Sequence, residues 1–581
     1  MPLGSQINSV ILLARNFNTN KTTVSTVKNR KHDKPRVFSK DAKINYLPRV
    51  KPEDVGYDPR YIQSFLNEIS NDLSIYANRI MIIKDGKVIA EKYQTPYVKD
   101  SWNCVFSVTK TVTAMALGAL WDEGKVNLDE PVCKTLGIEN KVGNLRNKKI
   151  TLKHLLTMST GNTYNEIESA VATKWTKDFF DSNNKFAIGS KFEYNSLNTY
   201  IIGAVIEKIT GKGLEEYLRE KIFDPIGVSD ILMETSPEGI AKSGWGLYII
   251  PEDLAKLAVL ISNNGVWEGK RILSEEWISQ MTAKQISSTK VGHVFDYGYQ
   301  IWVDEKRNFC FFNGMYNQDA FVFRNTGVVV LMFCANNEAF HGSHHYDIVP
   351  KYFAYPADPD FEYVEEMGSR DMKNADNLLY YYQKIQNKPY VSTHKRSNSI
   401  GVLPFLIQNE MGTYAKGIKG MTFVKDDDGY ALLVSEKDND FRLDFDFKDG
   451  IRKTYDFYGN QYECTASARF TLSEKCEPIL IIRLYFLEYA SVRYFTVRFS
   501  KNDDKLTVEA SENPGADFIV ALLDSQDANT KKLIQNVGKI INVEFIENKA
   551  RNVFSPSFTL VHKPETPAKE QVIVDNKKLN D

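Results

Sequence analysis

Ser107 and Lys110 stand three residues apart in Phe106-Ser107-Val108-Thr109-Lys110, directly ahead of the apolar run from Thr111 to Trp121. Residues three apart share one face of a helix, so this pair falls in a first helical turn with buried helix behind it. A helix N-terminus offers free N–H groups and partial positive charge. That setting suits a serine nucleophile whose base is a lysine of lowered pKa. Ser-x-x-Lys begins at five positions, Ser25, Ser107, Ser182, Ser287 and Ser392. Only Ser107 is followed by a long run of small and apolar residues (Ala114, Ala116, Leu117, Gly118, Ala119), with Gly124 as its stop. The alternative for Ser107 is a helix N-cap serine beside a solvated lysine.

Further segments follow in order: the hairpin Arg79 to Glu91, Trp121-Asp122-Glu123-Gly124-Lys125-Val126-Asn127-Leu128-Asp129, Ile150 to Gly161, and Phe192-Glu193-Tyr194-Asn195-Ser196 with Gly203 behind it. With Phe106–Lys110, they give residues 55–336 a resemblance to the serine β-lactamase and penicillin-binding-protein superfamily, in its class C-like esterase and peptidase branch. The resemblance implies that Tyr194, in a Tyr-x-Ser second motif, relays protons between Ser107, Lys110 and the leaving group. A phenol near an ammonium has its phenolate favoured, so Tyr194 is expected as base in acylation and acid for the departing group. Ser196 stands where the family more often has Asn, and a hydroxyl there still donates a hydrogen bond.

The third motif departs from the family. Instead of Lys-Thr-Gly or His-x-Gly the chain has Phe312-Asn313-Gly314-Met315-Tyr316-Asn317-Gln318. This resembles a Gly-x-x-Gly-Gln variant of the branch containing 6-aminohexanoate-dimer hydrolase, with Asn317 in place of the second Gly. Gly314, Asn317 and Gln318 are the expected substrate- or oxyanion-binding residues there. Ser107 N–H is a candidate oxyanion donor, and the second belongs to the 314–320 strand. The missing lysine removes a cation for a substrate carboxylate, although Lys242 is a possible replacement. Pro237 to Leu257 reads as a cleft wall in which Trp245 either stacks on substrate or packs in the core.

At 581 residues the chain exceeds a single core. Residues 1–45 are expected as a flexible lead whose first five resemble a protease-cleavage scar. Residues 46–355 are expected as an α/β (α+β) unit, an antiparallel sheet flanked by helices. Asp58 and Pro59 open a helix to about Asn71, and Asp85-Gly86 turns the 79–93 hairpin. Late strands are expected near 297–303, 309–313, 319–324 and 327–335. Residues 356–400 read as a connector with a short helix over 375–385. Eight strand-like runs between Met421 and Glu509, punctuated by Asp428-Gly429 and Asp449-Gly450, indicate an all-β barrel over 401–563, which in relatives is lipocalin-like. Residues 564–581 read as a disordered tail.

The 73 basic and 74 acidic residues leave a net charge of −1, with no basic field for nucleic acid. No apolar run reaches the ~18–20 residues of a membrane span. Compartment and oligomeric state are left open. Six cysteines without Cys-x-x-Cys spacing read as buried thiols, and Cys104 as packing rather than nucleophile. His341 and His345 would share a helix face, but they lack enough neighbouring ligands for a metal site. The expected function is a serine acyl-hydrolase acting on a small ester, amide or peptide through an acyl-enzyme on Ser107, with no metal and no cofactor. The alternatives are a β-lactamase or D-amino-acid peptidase, and a catalytically weak penicillin-binding-like receptor or scaffold.

Overall fold

The structure, a computed structural model, describes residues 42–141, 143–337, 341–367, 378–393, 401–411, 413, 415, 417–500, 504–515 and 555–563. The expected lead to residue 41, the start of the 375–385 helix and the tail from 564 lie outside the described residues.

Asp58 caps the helix Pro59–Asn71 by accepting from the Arg60 N–H, with Pro59 in the first turn. Strands β1 (Ala77–Lys84) and β2 (Lys87–Tyr93) form the opening hairpin, and its turn residues Asp85 and Gly86 both take positive φ. Strand β3 (Asn103–Cys104) leads into the helix Val108–Asp122. After the helix Ser196–Thr210 come β4 (Leu232–Met233) and β5 (Leu247–Ile249), with β5 paired between β3 and β4. Strands β6 (Val266–Trp267) and β7 (Lys270–Arg271) form a small ribbon. Strands β8 (Asp296–Tyr297), β9 (Trp302–Asp304), β10 (Phe309–Gly314), β11 (Gln318–Phe323) and β12 (Val328–Cys334) complete a seven-stranded antiparallel sheet of order β2-β1-β12-β11-β10-β9-β8.

Helices cover both faces of this sheet, which is why β11 and β12 are buried at every residue and read as continuous apolar runs. Alternation sorts the side chains. Ile80, Ile82, Phe309, Phe311, Phe321, Phe323, Val328 and Val330 pack with Phe65, Tyr352 and Phe353. Met81, Ile83, Cys310, Phe312, Ala320, Val322, Val329 and Leu331 join a larger core with the helices Val108–Asp122, Ser196–Thr210 and Pro251–Ser262.

The C-terminal region is a ten-stranded antiparallel sheet, nearly closed. In chain order its strands are β13 (Pro389–Ser392), β14 (Ile418–Asp426), β15 (Gly429–Glu436), β16 (Asp440–Phe445), β17 (Ile451–Phe457), β18 (Asn460–Leu472), β19 (Pro478–Phe486), β20 (Ser491–Phe499), β21 (Lys505–Asn513) and β22 (Ser557–His562). The eight strands expected between Met421 and Glu509 all form. The first strand, β13, and the last, β22, pair with each other, and a bridge from Asp446, just past the edge strand β16, to Ser467 of β18 brings the two ends of the sheet together. The apolar interior continues without a break into Trp102, Cys104, Phe106, Tyr248, Ile250 and Tyr316 of the N-terminal unit.

Among the described residues no helix is long and apolar enough to cross a membrane, and no group of three potential ligands could hold a metal. The helix His345–Phe353 starts after His341, so these two histidines do not share a helical face as expected. His345 pairs with Asp319 at 2.8 Å, His344 faces Asp72, and His341 is buried against Trp302. All six cysteines are free and only Cys476 is exposed.

Candidate active site

The turn before the helix Val108–Asp122 positions Ser107. Phe106 adopts φ 45°, a left-handed conformation rare for a bulky residue. Its ring is locked edge-on against Tyr316 at 5.4 Å. Ser107 is the residue preceding the helix, but its side chain makes no capping bond. Its hydroxyl instead accepts from Lys110 Nζ at 2.8 Å. Lys110 is 1% exposed, so the alternative of a solvated lysine does not apply.

Lys110 Nζ also donates to Ser196 Oγ at 2.8 Å and to the Gly244 carbonyl at 2.7 Å. Its ammonium end lies 4.7 Å from the centre of the Tyr194 ring. The Tyr194 hydroxyl bonds the Ser107 side chain, and its ring stacks on Trp302 at 5.9 Å. Ser107, Lys110, Tyr194 and Ser196 are therefore one contiguous cluster, drawn from a helix start and a loop-to-helix junction. Gly244 must be glycine for this contact. A Cβ there would stand 2.7 Å from the Ser196 carbonyl oxygen.

Burial drops the Lys110 amine from 10.5 to about 7, with the Glu166 carboxylate acting in the opposite direction. Burial also raises the Tyr194 phenol above its ordinary value, opposed by the Ser107 hydrogen bond and assisted by Glu166. The expectation of a favoured Tyr194 phenolate is thereby corrected. Without a strong ammonium field to stabilise it, the phenol stays protonated, and the group poised to take a proton near neutral pH is Lys110. An amine has one lone pair. Gly244 O can only accept, so it takes an N–H and leaves the lone pair for one of the two serine hydroxyls.

The remaining expected residues are placed differently. Gly314 ends β10 against the nucleophile turn, where an added Cβ would lie 2.3 Å from Val105 O. Asn317 takes φ 63°, a conformation Asn tolerates better than other non-glycine residues, which accounts for its place at a glycine position. Its amide donates to Tyr346 and accepts from Asn336. Gln318 is fully buried, donates to Cys334 O and accepts from Asn103. Both side chains are thus engaged within the protein around this turn. Trp245 stacks on Trp175 at 5.5 Å, and Lys242 Nζ lies 5.3 Å from the centre of the Trp245 ring. Lys242 is buried and ion-paired with Glu234 at 2.7 Å. Ser107 N–H has no partner among the described residues and precedes the hydrogen-bonded first turn, as an oxyanion donor should.

Three participants escaped the sequence reading. Glu166 accepts the Ser196 N–H at 2.8 Å and bears on both Lys110 and Tyr194. It lies in a polar stretch with nothing to distinguish it from Glu168. Trp302 and the Gly244 carbonyl act through ring stacking and backbone, which residue type does not announce.

Residues 70–348 match the Beta-lactamase family model. The 6-aminohexanoate-dimer hydrolase of Paenarthrobacter ureafaciens is 24% identical over 223 residues, 35% of this chain and 56% of that protein. Monacolin J acid methylbutanoyltransferase of Aspergillus terreus is 29% identical over 163 residues, 23% of this chain and 39% of that protein. The chain thus spans about half or less of the curated relatives it matches. The penicillin-binding protein homologue from Pyrococcus abyssi superposes with a TM-score of 0.40 at 17% identity, covering 77% of this chain and 97% of that one. Residues 70–348 are therefore a domain of the serine β-lactamase and penicillin-binding-protein superfamily.

Proposed function

We propose that the protein is a serine acyl-hydrolase that cleaves a small ester or amide through a covalent acyl-enzyme on Ser107. The observation that carries this reading is the buried Lys110 amine, brought to about 7 and lying 2.8 Å from the Ser107 hydroxyl. Neutral Lys110 accepts the Ser107 proton as Oγ attacks the substrate carbonyl. The Ser107 N–H and an N–H of the turn beginning at Gly314 hold the developing oxyanion, where one such donor is typically worth ~3–4 kcal/mol. The Tyr194 phenol, in contact with Ser107, passes its proton to the leaving group and is reprotonated from Lys110. Water then attacks the acyl carbonyl, the same groups run in reverse, and the acid departs.

Esters and simple amides fit better than β-lactams or D-Ala-terminated peptides. The third motif supplies no lysine, and Lys242, the nearby substitute, is engaged with Glu234. A substrate carboxylate would be desolvated there without a compensating charge. The test is labelling with a fluorophosphonate probe read by intact mass. The wild type should gain one adduct, and Ser107→Ala should gain none while melting as before. An adduct on the Ala variant would overturn the assignment.

A further inference from the structure

We propose that the outer wall of the barrel, at its seam with the N-terminal unit, binds a phosphate or phosphate-monoester dianion between Arg469 and Arg483. The register sets these two on one face. Arg483 of β19 lies opposite Ser467 of β18 and Tyr494 of β20, and Arg469 lies two residues along β18 from Ser467. They are diagonal neighbours, roughly 7–8 Å apart at the backbone. Neither guanidinium has a carboxylate partner among the described residues, and the Nε of each is buried without a hydrogen-bond partner. The other arginines of the described barrel are all compensated: Arg442 by Asp426 and Asp444, Arg452 by Glu463, Arg493 by Glu512, and Arg498 by Glu509. Two adjacent, half-buried cations without a counter-charge repel each other and carry a desolvation cost that an anion would remove.

The surroundings complete a receptor for oxyanions. Arg483 donates to the Tyr485 hydroxyl at 3.1 Å. Thr465, directly across from Tyr485 on the same face, is 2% exposed, and its hydroxyl has no partner among the described residues. Tyr97 of the N-terminal unit closes the seam edge-on to Tyr485 at 6.1 Å. Behind it lies a third cation, Arg79, at 5.1 Å from the Tyr97 ring and held by the neutral acceptors Val98 O, Asn103, Ser101 and Leu487 O. Burial and the proximity of Arg483 both disfavour the charged form of Arg469, as expected of a site awaiting an anion. Two guanidinium forks call for a doubly charged, multi-oxygen ligand rather than a monocarboxylate.

Titration calorimetry on the full chain at constant ionic strength, with inorganic phosphate, phenyl phosphate and acetate as probes, decides the matter. Phosphate is expected to bind saturably, and Arg469→Met and Arg483→Met should each weaken it about 10-fold or more, the loss of one charge-assisted pair. Arg483→Lys keeps the charge without the fork and should fall between. Ester hydrolysis should be unchanged in all three variants, which also reports that they are folded. Tighter binding of phenyl phosphate would identify a phosphate ester as the ligand, and tighter inorganic phosphate the free ion. Absence of saturable heat with both phosphates, equal binding of acetate, or undiminished affinity in folded Met variants would each overturn the proposal.

Discussion

Replacing Glu166 with Gln should move the acid limb of kcat/KM to lower pH. On the proposed mechanism the wild-type limb is set by Lys110, because the reaction needs the neutral amine and the free enzyme reports its titration. At an ordinary 10.5 only about one amine in 3,000 would be neutral at pH 7, whereas at about 7 half are. The drop from 10.5 to about 7 corresponds to on the order of 5 kcal/mol of lost ammonium solvation. Glu166 opposes it. The carboxylate accepts the Ser196 N–H and Lys110 donates to the Ser196 hydroxyl, both at 2.8 Å. The two charges are therefore roughly 6–8 Å apart, worth about 2 kcal/mol at an effective dielectric of about 20. Glu166 is only partly buried, and solvent screening reduces this to about 1 kcal/mol, somewhat under one pH unit. Gln keeps an oxygen acceptor for the Ser196 N–H, so the substitution changes charge with little change in geometry. The assay is kcat/KM for an activated ester from pH 5 to 9. A wild-type limb near 7 that shifts down in Glu166→Gln is expected. A limb that stays put or moves up would refute the electrostatic reasoning.

The same linkage gives a stability sign. Below pH 7 Lys110 is protonated in both folded and unfolded chains and burial of the ammonium is a full penalty. Between 7 and 10.5 only the unfolded chain binds the proton, so wild-type stability contributed here rises with pH. Lys110→Met should therefore melt higher relative to wild type at pH 6 than at pH 10, by thermal melts in matched buffers; a constant difference across that range would contradict a depressed amine. Lys110→Ala and Tyr194→Phe should each cost at least ~100-fold in turnover, and their combination should cost little more than either, since one proton path is broken once; a double-mutant cycle on a nitrophenyl ester that gives fully additive losses would place the base elsewhere. A short-chain nitrophenyl ester should be cleaved with higher kcat/KM than a chromogenic cephalosporin, and the reverse order would show that another residue supplies the missing cation. Gly314→Ala should destabilise the chain by about 1–3 kcal/mol in a denaturant melt and depress turnover further, because its Cβ meets the Val105 backbone carbonyl at 2.3 Å and the nucleophile turn has to yield; wild-type behaviour would show that the turn is slack.

Much of the fold was legible because its signals are local. The Asp58-Pro59 helix start, the Asp85-Gly86 hairpin and the apolar runs of β11 and β12 each carry their own chemistry, and the structure has them where the pattern puts them. β13 and β22, whose pairing joins the two runs of the sheet, were not legible. β13 spans only Pro389–Ser392, and β22 reaches it from far along the chain. Pairing across such a separation leaves no trace in either segment. In the site, Ser107 and Lys110 show through their spacing, and Tyr194 through resemblance to a motif. What the sequence misled on is charge. The Tyr194 phenolate was expected from an ammonium neighbour, but desolvation acts on both groups and takes that ammonium away first. The side chains of Asn317 and Gln318 illustrate a different limit. A residue type that can bind substrate can equally brace a turn, and only burial separates the two.

The barrel bears directly on the nucleophile. The tip between β19 and β20 inserts behind it: Glu488 O accepts the Cys104 N–H at 2.6 Å, three residues before Ser107, and Leu487 O accepts from Arg79. Next to them Tyr489 shares a 2.6 Å hydrogen bond with Tyr248, whose hydroxyl donates to Glu234, the partner of Lys242. Lys242 O in turn accepts the Gly244 N–H, and Gly244 O holds Lys110. A chain of buried contacts therefore runs from the barrel tip to the Lys110 amine. Phe106, whose strained backbone presents Ser107, packs in the same apolar cluster as the barrel interior. Strain of this kind persists only where its surroundings over-determine it, and here part of those surroundings is barrel. The barrel tip is thus packed into the surroundings of the turn that presents Ser107, through shared hydrogen bonds and one apolar cluster.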